Sequence, residues 1–569
     1  MITTPLGEIP RTHDVVVIGS GAAGLVTAVR AADAGLSVLV LEKADRLGGT
    51  SAVGGGVMWA PCNHLMRRKG FRDSVDDAKS YLSAVADERM TAAEIDWYIN
   101  TAPRAVEFLD ERTHVRFTPL ARPDYHPEWP GASTGGRGLD NEPFDPTTIP
   151  GLAELLRKPT YLPPISMNER DALRGAPIDP ELLAERRRTG VRTMGGALVG
   201  RLVLSAVDRD VGIVTSARVT GLGRTGDSAA SAGRWTLDVN DGAATVRAAN
   251  VVMASGGFEW NARLRKALLK FPITPISAPS NEGDGLVLGM RAGAALDEMT
   301  AIWGVPVIAP PTQRYDGRQS GRMGNVEMTL PGSVTVNAKG ARFVNEATNY
   351  HDLNRVFGNV DPATGHQENN PAWLVFDQAY LDKYSIAGST PGVAEDWMVS
   401  AGSAAELAHK CGIDPSGLAA TLERFNADAE FGVDTEFDRG ASTQDRHLGD
   451  PANTPNPCLA PVRQEPLYAV PISAGALGTA GGLKADLQGR VLGNDEDPIP
   501  GFFAAGNCSA TVFHDAYPGG GATLGSAITR GFAIGEHLAA THACRGLDGQ
   551  GTPGPVHHTA VSHTAGERR

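Results

Sequence analysis

Asp14-Val15-Val16-Val17-Ile18-Gly19-Ser20-Gly21-Ala22-Ala23-Gly24 is the stretch that decides the fold. Its β-branched start reads as a buried parallel strand. The glycine turn follows at once. Leu25 to Ala34 then shows helical apolar spacing, and Gly35 ends it. Leu36 to Leu41 is a second strand, closing with Glu42. Strand, glycine turn, helix and strand make a complete βαβ unit. In such a unit Gly19 permits the tight turn, Gly21 lets a pyrophosphate approach the backbone at Ala22 and Ala23, and Gly24 packs helix on strand. The helix N-terminus presents a partial positive charge to the phosphates. Glu42, placed 18 residues after Gly24, is an acid positioned to accept ribose hydroxyls.

Working outward, 569 residues exceed one ordinary core, so two or more domains are expected. The 41% hydrophobic and 21% charged fractions are those of a folding chain. Its 68 glycines are clustered rather than periodic, as where backbone turns sharply or approaches a ligand. A net charge of −13 argues against a nucleic-acid partner. The five cysteines form no metal-binding or disulfide spacing, so no metal site is expected and a reduced, cytoplasmic setting fits. No secretory leader or membrane span is read from the sequence.

The expected fold class is α/β, a Rossmann-like cofactor domain made of two chain segments with an inserted α+β capping domain. Residues 1–297 form the first segment, 298–471 the cap and 472–541 the second segment. Residues 542–569, including His557 and His558, read as a disordered, solvated tail. Leu152 to Arg188 reads as a surface insertion, with a lid role and a membrane contact both left open.

The choice of FAD over NAD rests on motifs further along. Lys43 follows Glu42, and Gly48-Gly49-Thr50-Ser51 and Gly54-Gly55-Gly56 come next. A buried strand, Asn250 to Ala254, ends at Ser255-Gly256-Gly257, and Gly283-Asp284-Gly285 suits a second flavin loop. Ala505-Gly506-Asn507 ends a late strand, and Gly521-Ala522-Thr523-Leu524-Gly525 opens a helix whose amides can face a flavin ring. An NAD enzyme needs no such C-terminal return.

On these residues, with Gly340-Ala341-Arg342-Phe343-Val344-Asn345-Glu346, the chain resembles the flavoprotein superfamily of fumarate reductases, succinate dehydrogenases and 3-ketosteroid dehydrogenases. The arginines that clamp a dicarboxylate in the first two groups have no match: Met328 to Ser333 lacks arginine, and Tyr517 stands where the other is usual. The flavin-linking histidine of succinate dehydrogenases has no counterpart near Gly54-Gly55-Gly56, which implies noncovalent FAD. Tyr517-Pro518-Gly519-Gly520-Gly521 is similar to the ketone clamp of 3-ketosteroid Δ1-dehydrogenases. That resemblance implies that Tyr517 and Gly521 hold the ketone oxygen, that Tyr350 is the base, and that Tyr125, in Pro123-Asp124-Tyr125, supports it. Gly520, His126 and Asn349 depart from the group's usual residues. Arg137 is read as a surface ion-pair residue, and His514 and Asp515 as equally suited to tuning the site or to local turn bonding.

The implied reaction is 1,2-desaturation of a 3-ketosteroid, with a proton to Tyr350, hydride to flavin N5 and a quinone-like or other acceptor downstream. The alternatives are a 3-keto-5α-steroid Δ4-dehydrogenase and, against the missing arginines, a fumarate-reductase-like enzyme. The preferred steroid, the acceptor and the oligomeric state stay open.

Overall fold

A computed structural model of the chain describes residues 2–173, 177–225 and 234–548. Strands β1 (Thr12–Ile18) and β2 (Val38–Leu41) pair in parallel, Val15 beside Val38 and Ile18 beside Leu41, and helix α1 (Ala22–Ala32) connects them. All of β2 is buried, which is why it shows no polar alternation. β3 (Gly212–Val214) extends the sheet beyond β2. β4 (Val219–Arg224) and β5 (Trp235–Val239) are antiparallel, and β5 lies against β6 (Ala244–Met253). β6 is parallel to β1 on its other edge. Alternation along β1 sends Val15 and Val17 into the core shared with Leu25, Val29 and Ile528, and Val16 into the core shared with Leu39, Val251 and Phe502. Each such side chain contributes roughly 1.5–3 kcal/mol by leaving water.

A second sheet contains β7 (Ile302–Ile308), β8 (Ser333–Asn337), β9 (Ala372–Asp377) and β10 (Leu467–Thr479). The first half of β10 pairs with β9 and the second half with β7. Thr274–Pro275 also pairs with β10. The long strand therefore runs straight through the division expected at 471/472, and the capping sheet takes residues from before 298.

The chain then returns. β11 (Arg490–Leu492) is antiparallel to β12 (Pro498–Ala504), and β12 is parallel to β6, Phe502 beside Val251. Helix α2 (Ala522–Asp548) closes the domain, tied to α1 by a Thr27 hydroxyl that donates to the Gly531 carbonyl at 2.9 Å. The helix continues to Asp548, so the tail expected from residue 542 begins inside it. His557 and His558 lie outside the described residues. Among the described residues no helix is long and apolar enough to cross a membrane.

Candidate active site

The C-terminal ends of β1, β2 and β6 open on one cavity of about 1450 Å³, which continues under the second sheet to Tyr517 and beyond. At the β1 end Gly19 has φ +110°, and a Cβ there would lie 2.3 Å from the Ala254 carbonyl oxygen. Only glycine makes this turn. Gly24 does not reach the cavity; a Cβ would strike the Gly19 carbonyl at 2.2 Å, so it seats α1 on the strand as the motif requires.

The cavity wall fits a dinucleotide. Gly21 begins α1 without a side-chain cap, and Gly21, Ala22 and Ala23 line the cavity at this helix N-terminus. A Cβ at Gly49 would meet nothing within 4 Å, and one at Gly21 only the Ser51 hydroxyl at 3.5 Å. Ser51 is fixed by the Ala22 N–H, which donates to its hydroxyl at 3.0 Å. Glu42 is buried at the end of β2. Its Oε2 accepts from the Ser20 N–H and hydroxyl at 3.1 and 2.7 Å, and its Oε1 from the Ala44 N–H at 2.9 Å. Thr50, Gly55, Gly56, Ala254, Gly256, Gly506, Asn507, Thr523 and Leu524 also line the cavity. Lys43 and Asp284 line it as well, but are already paired with each other at 3.0 Å.

Tyr125, Tyr350, Tyr517 and Gly521 come together from distant parts of the chain. The Tyr350 and Tyr517 hydroxyls are 2.9 Å apart. The Tyr125 ring stacks on Tyr517 at 5.6 Å and meets Tyr350 edge-on at 5.5 Å. The Tyr517 hydroxyl also lies 3.3 Å from the Thr523 hydroxyl. The Gly521 N–H donates to no protein group among the described residues. Gly521 has φ +102°, and a Cβ would press on the Val57 carbonyl at 2.6 Å.

Local structure explains each placement. Tyr350 opens a short helix (Tyr350–Arg355) whose N-cap is Asn349; the Asn349 side chain accepts from the Asp352 N–H at 3.0 Å. That capping role accounts for asparagine at this position. The loop before it is anchored by Arg342, which donates to Glu346 at 2.7 Å and to Asp434 at 2.8 Å, all buried. Tyr125 is held by its neighbour Asp124, which accepts from Trp59 Nε1 at 2.8 Å and from Arg137 at 2.7 Å. Arg137 is therefore not a surface residue. It is 1% exposed and bridges Asp124 to Asp73. Its charge is bearable inside because both carboxylates meet it. His351 packs on Tyr517 at 5.0 Å; the Gly304 N–H donates to its Nδ1, which leaves Nε2 to donate to the Asp515 carbonyl.

Burial pushes both Tyr350 and Tyr517 well above the usual phenol value of 10, with the facing phenol oxygens adding to it. For Tyr350 the hydrogen bond with Tyr517 and the Arg122 charge pull the other way and lose. His514 takes neither a purely local role nor a place against the tyrosines. It sits 2.9 Å from Glu298 and 3.4 Å from Glu94, and the pairing with Glu94, despite burial, raises it above 6.5.

One wall has residues that no sequence motif singled out. The 152–188 segment does more than cover the surface, since Thr160 to Pro163, Ile165, Met167, Arg170 and Asp171 line the cavity. They stand with Arg122, Arg322, Glu327 and His447. Arg122 is clamped by Asp171 at 2.6 and 2.7 Å. No motif announces these residues, because they gather from four separate stretches.

The family model described as "FAD binding domain" matches residues 14–524. The chain belongs to that family. It is an FAD-dependent oxidoreductase, related over nearly its whole length to enzymes that desaturate ring ketones. It is 38% identical to 4-oxocyclohexanecarboxylate 2-dehydrogenase of Sinomonas cyclohexanicum, covering 94% of each chain. It is 36% identical to 3-oxosteroid 1-dehydrogenase of Mycolicibacterium smegmatis, over 93% of this chain and 98% of that protein. Among solved structures, 3-ketosteroid Δ1-dehydrogenase of Sterolibacterium denitrificans, in complex with 1,4-androstadiene-3,17-dione, superposes with a TM-score of 0.85 at 33% identity, covering 94% of this chain and 100% of that one.

Proposed function

We propose that the enzyme removes two hydrogens from adjacent ring carbons beside a ketone, the 1,2-desaturation of 3-ketosteroids. Noncovalently held FAD, seated along the Gly19–Gly24 turn, Glu42 and Thr523–Leu524, supplies the hydride acceptor when bound. The reading rests above all on one observation: the Tyr517 hydroxyl, bonded to Tyr350, lines one cavity with Gly521, whose N–H has no protein acceptor among the described residues.

An alkane C–H is not acidic, so the carbon beside the ketone must be activated through its enolate. Tyr517 O–H and Gly521 N–H supply donors for the developing oxyanion, each worth about 3–4 kcal/mol in a dry site. Tyr350, as its phenolate, takes the proton from carbon 2 and becomes the neutral phenol. The Tyr125 ring fixes Tyr350 edge-on. Arg122 is the cation within electrostatic reach that favours the Tyr350 phenolate against burial.

The test is turnover of androst-4-ene-3,17-dione with an artificial quinone acceptor, followed by mass spectrometry. A product lighter by two hydrogens, with the new double bond at carbons 1 and 2, supports the reading. Absence of any dehydrogenated product from ring ketones would refute it.

A further inference from the structure

We infer that the substrate is a ring ketone that carries a carboxylate on the side away from its carbonyl, and that Arg170 and Arg322 bind that carboxylate. This rests on the ketone clamp proposed above and names what lies at the other end of the same cavity.

Arg170 belongs to a helix (Met167–Leu173) and Arg322 to a strand beside the second sheet, and both line the cavity. Neither forms an ion pair among the described residues. Arg122, Arg137 and Arg342 each have a carboxylate partner close by. Arg322 donates through Nε to the neutral Gln313 amide at 2.8 Å, and its guanidinium lies over the Tyr161 ring at 5.3 Å. Those contacts orient the group and give it no ion-pair partner among the described residues. The Arg170 guanidinium makes no hydrogen bond to the described residues and stays accessible to the cavity.

Besides Arg122, the side chains of Asp171, His447, Tyr161 and Glu327 lie within electrostatic reach of Arg170. Asp171 is spent on Arg122. Burial, then Arg122, holds His447 down to about 4, so it is neutral at pH 7. Tyr161 is pushed up to about 12 by burial, so it too is neutral. Glu327 is the acid within electrostatic reach of both arginines, and burial pushes its carboxyl up; it accepts from the Ala387 N–H at 3.0 Å. The wall is therefore net positive. A purely hydrocarbon end pressed against two guanidinium groups would strip their water and give nothing back. A carboxylate matches their planar donors. The tyrosine cluster lines the same cavity, and Arg122 is within electrostatic reach of both Tyr350 and Arg170. Donors for a ketone and donors for a carboxylate thus line one cavity, where a single molecule can meet both.

The holoenzyme is assayed for kcat/KM on two acid and ester pairs: 4-oxocyclohexanecarboxylate with its methyl ester, and 3-oxochol-4-en-24-oic acid with its methyl ester. The acid should exceed the ester by at least about 30-fold in one pair, the size expected when a desolvated charge loses its partner. Which pair shows it tells a monocyclic acid from a steroid acid. In Arg170→Gln and Arg322→Gln, checked for flavin content, the ratio should collapse toward one. Should either variant fail to fold, the wild-type enzyme decides: cyclohexanecarboxylate should compete with substrate and cyclohexanecarboxamide should not. Equal turnover of acid and ester in both pairs, or an unchanged ratio in both variants, overturns this inference and leaves the ketone reading standing. No turnover of any acid, ester or neutral ketosteroid overturns both.

Discussion

At the scale of single residues, the chemistry divides between a donor pair and a base that touch. Tyr517→Phe keeps the ring that stacks on Tyr125 and removes the hydroxyl 2.9 Å from Tyr350. It should retain FAD and lower kcat by roughly 100- to 1,000-fold, the usual cost of one oxyanion donor. Unchanged kcat by steady-state assay would remove Tyr517 from the clamp. Tyr350 makes a different prediction. Burial holds its phenol well above 10, so its basic form is scarce at neutral pH and grows as pH rises. The logarithm of kcat/KM should therefore climb with pH from about 6 to 9, and Tyr350→Phe should abolish turnover across the range. A flat profile would mean that proton removal by a phenol does not limit the reaction. The tyrosines were legible in sequence because each sits in a short motif. Their effect on each other was not: the resemblance implies that Tyr125 supports Tyr350, whereas burial and the Tyr125 oxygen raise the Tyr350 pKa in the folded cavity.

At the scale of elements, the segment that ends in Tyr517 is pinned by His514. Glu94 comes from the long helix (Ala92–Arg112) and Glu298 from the approach to β7, so one imidazole joins three parts of the chain. The Glu94 pairing raises the folded His514 pKa above its unfolded 6.5. The stability it adds is full below that value and is lost as pH rises through the folded value. Burial alone would raise Glu94, but the pairing with His514 and the bonds from Thr91 win and hold it at about 2, against an ordinary 4.5. Its contribution is full above 4.5 and lost as pH falls toward 2. The pair is therefore at full strength between about 4.5 and 6.5. A thermal melt series should show Tm falling above that window, and His514→Asn should flatten the fall. An identical slope in the variant would contradict this coupling. The βαβ unit was readable because its apolar runs change period at a glycine turn. The 471/472 division falls inside β10 because the strand's two halves serve different neighbours, and pairing partners leave no mark in a single apolar run. Arg137 was read as a surface residue because charge usually lies outside; Asp73 and Asp124, which let it in, are remote in sequence.

At the scale of the whole molecule, two chain segments and a cap meet around one cavity, and the cofactor reading makes FAD part of the fold's cohesion. Ligand that binds only the folded state stabilises it by RT ln(1 + [L]/Kd), about 2.7 kcal/mol at a hundredfold excess over Kd. Removing FAD should lower Tm, and adding it back should raise Tm in step with the logarithm of its concentration. A melt indifferent to FAD would place the cofactor elsewhere. The glycine turns at both ends of the chain made the cofactor end of the cavity readable. The opposite wall was hidden, because Arg122, Arg170, Arg322 and His447 share no motif and gather only when the 152–188 segment folds against the cap. The central claim is that this one cavity holds a ring ketone against the Tyr517 hydroxyl and the Gly521 N–H and dehydrogenates it. An anaerobic titration of the FAD-loaded protein with ring ketones, monitored at the flavin absorption band, tests that most directly. The account predicts bleaching by a 3-ketosteroid or a ring-ketone acid, and no bleaching of Tyr350→Phe. A flavin that stays oxidised with every ketone, in a protein whose reduced form is reoxidised by fumarate, would contradict it.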